Sequence, residues 1–145
     1  MNWEWDKIPK QTELVENGKT GDCWRCCIAA ILRRPASEVP HFLAEALKDR
    51  EGPSMDPLTQ QWLTSQGYWL MHCVGYMGFP RAWREQPEFT DMPVIICGPS
   101  PRSKQMGAHH ACVAVNGDRI VYDPHPSNAG LTAITDRFVI IPHYK

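Results

Sequence analysis

Charge of one sign is scarce in this chain of 145 residues: 15 Lys and Arg stand against 16 Asp and Glu, a net charge of −1. No basic patch stands out, so nucleic acid and anionic membrane surfaces are not expected partners. The nearest candidate, Arg33-Arg34, reads as the basic last turn of a helix. Long apolar runs are missing as well. No stretch approaches the ~20 apolar residues of a membrane span. Met1 to Lys10 holds two Trp and alternating charges, with no apolar core of signal-peptide length. The expectation is a cytoplasmic protein without a membrane partner. Repeats, low-complexity tracts and long linkers are also absent, which predicts one domain over residues 1–145. With 43% hydrophobic and 21% charged residues, disorder is not expected. A chain of this size buries roughly two thirds of its unfolded surface.

Cysteine, by contrast, is plentiful, at positions 23, 26, 27, 73, 97 and 112. Three disulfides are arithmetically available. However, three of the six crowd one short apolar segment, and the chain is long enough to need no staples. Free thiols in a reducing compartment are therefore expected.

The order of elements points to an α+β fold. Residues 11–21, QTELVENGKTG, form a polar, irregular lead-in. Asp22 offers an N-cap, and Trp24, Cys27, Ile28, Ile31 and Leu32 then repeat at helical spacing. Pro35 ends this first helix, predicted over about 23–34. A second helical segment lies within 37–50, after Pro40. A third spans 55–66, with Ser54 as cap, Pro57 in the first turn and Gly67 as stop. Beyond it come short branched and aromatic runs at 68–74, 93–98, 109–115, 119–123 and 137–141, the pattern of a small antiparallel sheet. Asn116-Gly117 marks a hairpin, its loop slightly lengthened by Asp118.

Two places suggest chemistry. Cys23 opens the first helix, where unpaired N–H groups and the helix dipole favour a thiolate and can also hold an oxyanion. Cys27 reads as core, and Cys26 is ambiguous. His109 and His110 head a strand whose hairpin returns to Asp123, so a histidine and a carboxylate can meet at one end of the sheet. The two histidines point to opposite faces, His110 with Cys112 and Ala114, and His109 with Ala111, Val113 and Val115. Periodicity does not choose between them. His125 in the Pro-rich turn reads as solvated, with substrate contact as the sharper alternative. Trp3, Trp5, Trp69 and Trp83 read as packing residues before cleft-lining ones.

Gln11-Thr12, GDCWRCCIAAIL (21–32), EVPHF (38–42), HACVAV (110–115) and YDPHPSNAGL (122–131) occur in this order. Together they resemble a family of small papain-like cysteine peptidases of phages and bacteria, related to the peptidases that cut double-glycine leader peptides. The resemblance covers roughly residues 10–131. It implies a papain-like α+β fold, with the Cys-bearing helix packed on a sheet that carries His and Asp. It implies Cys23 as nucleophile, His110 as base, Asp123 as its orienting group and Gln11 as an oxyanion-hole side chain. It also implies a peptide or protein substrate, no cofactor, and the host cytoplasm if the chain is phage-encoded. One departure concerns Gln11, which stands twelve residues before Cys23. The family's usual spacing falls on Asn17, which has the same kind of donor.

The expected chemistry is acyl transfer through a Cys23 thioester to water, with an amine acceptor as a variant. Three alternatives stand beside it. One is a catalytically idle papain-like binding protein. Another is a zinc site built from Cys23, Cys26, Cys112 and His109 or His110. The last is a redox CxxC at Cys23 and Cys26, although no strand leads into that motif.

Overall fold

In the computed structural model, which describes residues 4–74, 91–103 and 109–143, three helices accompany a five-stranded antiparallel sheet. Helix α1 spans Cys23–Leu32. It stops two residues earlier than expected because Arg33 turns left-handed at φ 56°, and Arg34 N–H bonds back to Ala29 O at 2.9 Å. The carbonyls at the helix end are thereby satisfied before Pro35 is reached. Arg33 and Arg34 thus form the cap rather than a basic last turn. Burial extends beyond the expected stripe: Cys26, Ala29 and Ala30 are buried together with Trp24, Cys27 and Ile28, whereas Ile31 and Leu32 are half-buried. Cys26 is therefore a core residue.

Helix α2 spans Phe42–Lys48 and α3 spans Met55–Ser65. His41 caps α2, its Nδ1 accepting from Ala44 N–H at 3.3 Å. Gly67, at φ 89°, follows α3 in the left-handed conformation that a stop signal demands. Ser54 occupies the N-cap of α3 without a side-chain bond. Two contacts lock α1 in place. Its Trp24 Nε1 donates to Thr59 Oγ1 on α3 at 3.0 Å, and its ring meets Phe138 edge-on at 4.7 Å.

The strands are β1 (Tyr68–Val74), β2 (Val94–Pro99), β3 (His109–Val115), β4 (Arg119–Tyr122) and β5 (Asp136–Pro142). Their spatial order is β1-β5-β2-β3-β4. One face of the sheet packs Ile95, Ala111, Val113, Tyr122 and Phe138 against α1. The other gathers Val94, Ile96, Cys112, Ala114 and Val139. The expected hairpin joins β3 to β4, with Asn116 and Gly117 both at positive φ.

A β-bulge in this hairpin decides the geometry of the site. Val113 pairs with Tyr122 but Ala114 pairs with Ile120, so Val121 is an extra residue on β4. Unbulged pairing from Ala114 and Ile120 would set Asp123 opposite Ala111, on the face of His109. The extra residue shifts the count by one, and Asp123 falls opposite Cys112, on the face of His110.

Gly98, opposite His110 on β2, admits a second close approach. A Cβ there would lie 2.1 Å from the carbonyl oxygen of Ala133. The 130–135 segment crosses β2 at this point, with Thr132 N–H on Pro99 O at 2.8 Å and Thr135 N–H on Cys97 O at 2.9 Å. Among the described residues, no helix is long and apolar enough to cross a membrane.

Candidate active site

Cys23 is the first residue of α1 and is half-buried. Asp22 sits in the N-cap position as expected, but its carboxylate does not cap. It turns instead to Arg25, Oδ2 accepting from Nε at 3.1 Å and lying 3.0 Å from Nη2. The first N–H groups of α1 are thus left without a side-chain cap, at the helix end that carries Cys23.

At the head of β3, the two histidines separate clearly. His109 is exposed, whereas His110 is only 6% exposed and its Nε2 lies 2.7 Å from Asp123 Oδ1. The bulge has made this choice, which alternation could not. Asp123 is held on all sides. His125 N–H donates to its Oδ1 at 2.9 Å, Gly130 N–H donates to Oδ2 at 2.8 Å, and its backbone carbonyl accepts from Lys10 Nζ. With Nε2 committed to the carboxylate, the other ring nitrogen is left for the thiols of Cys112 and Cys23, which interact with the ring.

Electrostatics follow from this packing. Burial works against a charged His110, but the Asp123 hydrogen bond, helped by Cys112 and Cys23, outweighs it and lifts the pKa to about 11. Burial likewise works against a charged Asp123. The bonds from His110, Gly130 and His125 prevail and lower its pKa to about 2. At neutral pH the pair is therefore an imidazolium on a carboxylate. The buried thiols behave differently. Burial pushes Cys26 up to about 12, and raises Cys27, Cys97 and Cys112 as well, so these four keep their protons and are poor nucleophiles.

A narrow cleft of about 80 Å³ joins Cys23, His109 and His110 to Gln11, Gly21 and His125. Val15, Glu16, Leu43, Ser100, Arg102 and Ser103 complete its wall. Larger hollows exist elsewhere, such as one of about 500 Å³ beside Pro9, Ala30 and Pro35, but that one is lined by no cysteine or histidine.

Gln11, rather than Asn17, belongs to this cleft. The lead-in folds back so that Gln11 N–H bonds to Pro124 O at 2.9 Å, in the turn that carries Asp123. The Gln11 side chain is 7% exposed and its Nε2 donates one hydrogen to Glu13 O at 2.8 Å. The second hydrogen on that nitrogen remains available. Asn17 is exposed, at the end of a 3-10 turn over Val15–Asn17.

The expectation of a solvated His125 is overturned. Its ring is 7% exposed, with Nδ1 2.8 Å from Ser127 Oγ and Nε2 bonded to Glu16 Oε1. It stands edge-on to His110 at 6.3 Å between centroids. Pro124 and Pro126 stiffen the turn on either side, and Ser127 two residues on supplies a partner; Pro-His-Pro-Ser carries that signal in the sequence. Glu16, Ser100 and Arg102 carried no comparable signal. Of the four tryptophans weighed as cleft-lining residues, Trp69 is 55% exposed and stacks on His143, and Trp5 packs against the α1 core. Trp3 and Trp83 lie outside the described residues.

All six cysteines are free. Among the described residues, the compact group of metal-ligating atoms is His110, Cys112 and Asp123, all within 4.8 Å of one another. It contains neither Cys23 nor Cys26, so the four ligands of the zinc alternative are not brought together as a set. No protein-family model, curated protein or solved structure matches this chain.

Proposed function

We propose that this chain is a thiol hydrolase of papain-like type that cleaves an amide, isopeptide or related acyl bond through a Cys23 thioester. The observation that carries the reading is the buried His110–Asp123 pair, 2.7 Å apart, whose His110 lines one cleft with a cysteine at the N-terminus of α1. Papain-like enzymes join a helix-borne cysteine to a sheet-borne histidine, and the α+β arrangement here supports that assignment.

The steps follow from the geometry. His110 holds the proton that Cys23 gives up, and the sulfur attacks the substrate carbonyl. The oxyanion is received by the free N–H groups at the start of α1 and by the spare hydrogen of Gln11 Nε2. His110 passes its proton to the leaving nitrogen as the C–N bond breaks, leaving an acyl-Cys23 thioester. Water then attacks, its proton returning to His110, and the acid departs from a regenerated thiol. Asp123 keeps Nε2 occupied throughout, so the proton is exchanged at the nitrogen facing the thiol. A peptide or protein is the proposed substrate.

Alkylation by iodoacetamide, read cysteine by cysteine with mass spectrometry, tests this reading. Cys23 is expected to label first in the native protein, more slowly in His110→Ala. Equal labelling of all six cysteines, or none until unfolding, would return the chain to the idle-binder reading.

A further inference from the structure

One side chain in the cleft lacks what its chemistry requires. Arg102 Nε and Nη2 are both buried, and neither has a hydrogen-bond partner. Their N–H bonds point the same way, forming the edge of a guanidinium that grips a carboxylate with both of its oxygens. The turn around Arg102 is otherwise well tied. Ser100 N–H donates to Ser103 Oγ at 2.8 Å, Ser103 N–H to Ser100 O at 3.0 Å, and Arg102 N–H to Ser100 Oγ at 3.3 Å. The backbone is thus fixed while two nitrogens of the guanidinium it carries are left without a hydrogen-bond partner, although its charge acts on Glu16.

The neighbours define what would satisfy it. Arg102 lines the same cleft as Cys23, His110 and Gln11. The acid of that cleft, Glu16, is already engaged by His125 Nε2. Gln11 Oε1 is a second buried group without a partner, an acceptor suited to a substrate N–H. A cationic fork and an amide acceptor beside one nucleophile match a peptide-like substrate with an acidic group. Two buried donors left unpaired disfavour the empty cleft, so an incoming carboxylate removes a standing penalty. Both nitrogens are buried, so the fork meets a carboxylate in the cleft by a turn of the Arg102 side chain.

We propose that Arg102 is a specificity-determining residue that binds a carboxylate of the substrate, so that the cleft selects acyl donors bearing an acidic group next to the bond cleaved. This rests on the thiol-hydrolase reading of Cys23.

Iodoacetate and iodoacetamide test it without a known substrate. Both alkylate a thiol by displacing iodide and they are close in size, but only iodoacetate carries a carboxylate. The rate of Cys23 modification by each is measured at one pH and ionic strength, and each protein is normalised to its own iodoacetamide rate. The His110 imidazolium attracts iodoacetate in every variant, so the change in ratio between variants isolates Arg102. The ratio is expected to fall about tenfold in Arg102→Gln, and by less in Arg102→Lys, which keeps the charge but not the fork. Arg102→Lys decides should Arg102→Gln lose its fold. A wild-type ratio in the folded variants overturns the carboxylate site and leaves the hydrolase reading standing. A wild-type Cys23 that refuses both reagents overturns both.

Discussion

Replacing Asp123 by Asn probes the centre of the site while keeping its shape. The native carboxylate accepts three bonds, from His110 Nε2, His125 N–H and Gly130 N–H, at 2.7, 2.9 and 2.8 Å. An Asn amide presents one oxygen and one NH₂, so one of its sides must set donor against donor. Removing one charge of a buried pair is destabilising by about 3–5 kcal/mol, and the conserved shape and remaining bonds place this variant near the lower end. For a chain of this size, about 3 kcal/mol lowers Tm by roughly 6–12 °C. The pH dependence gives a sharper signature. His110, raised to about 11, contributes stability that is complete below its unfolded pKa of about 6.5 and is lost as pH rises through about 11. Asp123, lowered to about 2, contributes stability that is present above its unfolded value and is lost as pH falls through about 2. The Asn variant removes the Asp123 contribution and the share of the His110 contribution that Asp123 supplies, so the wild-type advantage is greatest between about pH 4 and 6.5 and shrinks on either side. Thermal denaturation of the two proteins from pH 3 to 10 reads this directly. A difference in Tm that is flat with pH, or under about 2 °C at pH 6, would refute the buried ion pair.

Gln11→Ala should slow acyl-enzyme formation by about a hundredfold or more, as loss of an oxyanion donor does, while Asn17→Ala leaves it unchanged. Single-turnover kinetics on the two variants would separate them, and the reverse order would move the donor to Asn17. Gly98→Ala should be strongly destabilising, because its Cβ meets the Ala133 carbonyl at 2.1 Å and must push the 130–135 segment off β2. That segment begins at Gly130, whose N–H holds Asp123, so the variant should also lose Cys23 reactivity. Retention of full stability and reactivity would show that the crossing segment yields freely.

Much of this arrangement was legible in the residues. Helix periodicity located α1 and α3 to within a residue or two, since apolar spacing and Gly67 are local signals. The strands emerged from branched and aromatic runs, and Asn116-Gly117 marked the hairpin because both residues tolerate positive φ. The choice of His110 over His109 came through resemblance and not through periodicity. It depends on Val121 bulging out of β4, and no local residue preference announces a bulge at a valine. Asp22 takes the expected N-cap position, but Arg25, one turn on, competes for its carboxylate. The burial of His125 was not legible, because its ring is held by a tertiary bond to Glu16, 109 residues away in sequence. Gln11 entered the site only through resemblance. The bond from its N–H to Pro124 O is a tertiary contact that spacing along the chain works against.

Acylation of Cys23 by an activated ester, p-nitrophenyl acetate, tests the thioester directly. Release of p-nitrophenol should show a burst equal to one per chain, with an acetyl group on Cys23 in the quenched protein, followed by slower steady turnover as water discharges it. Cys23→Ala should abolish both phases, and His110→Ala should suppress the burst. A native protein that forms no acetyl-Cys23, although iodoacetamide still alkylates that residue, would contradict catalysis and leave a reactive thiol in a binding protein.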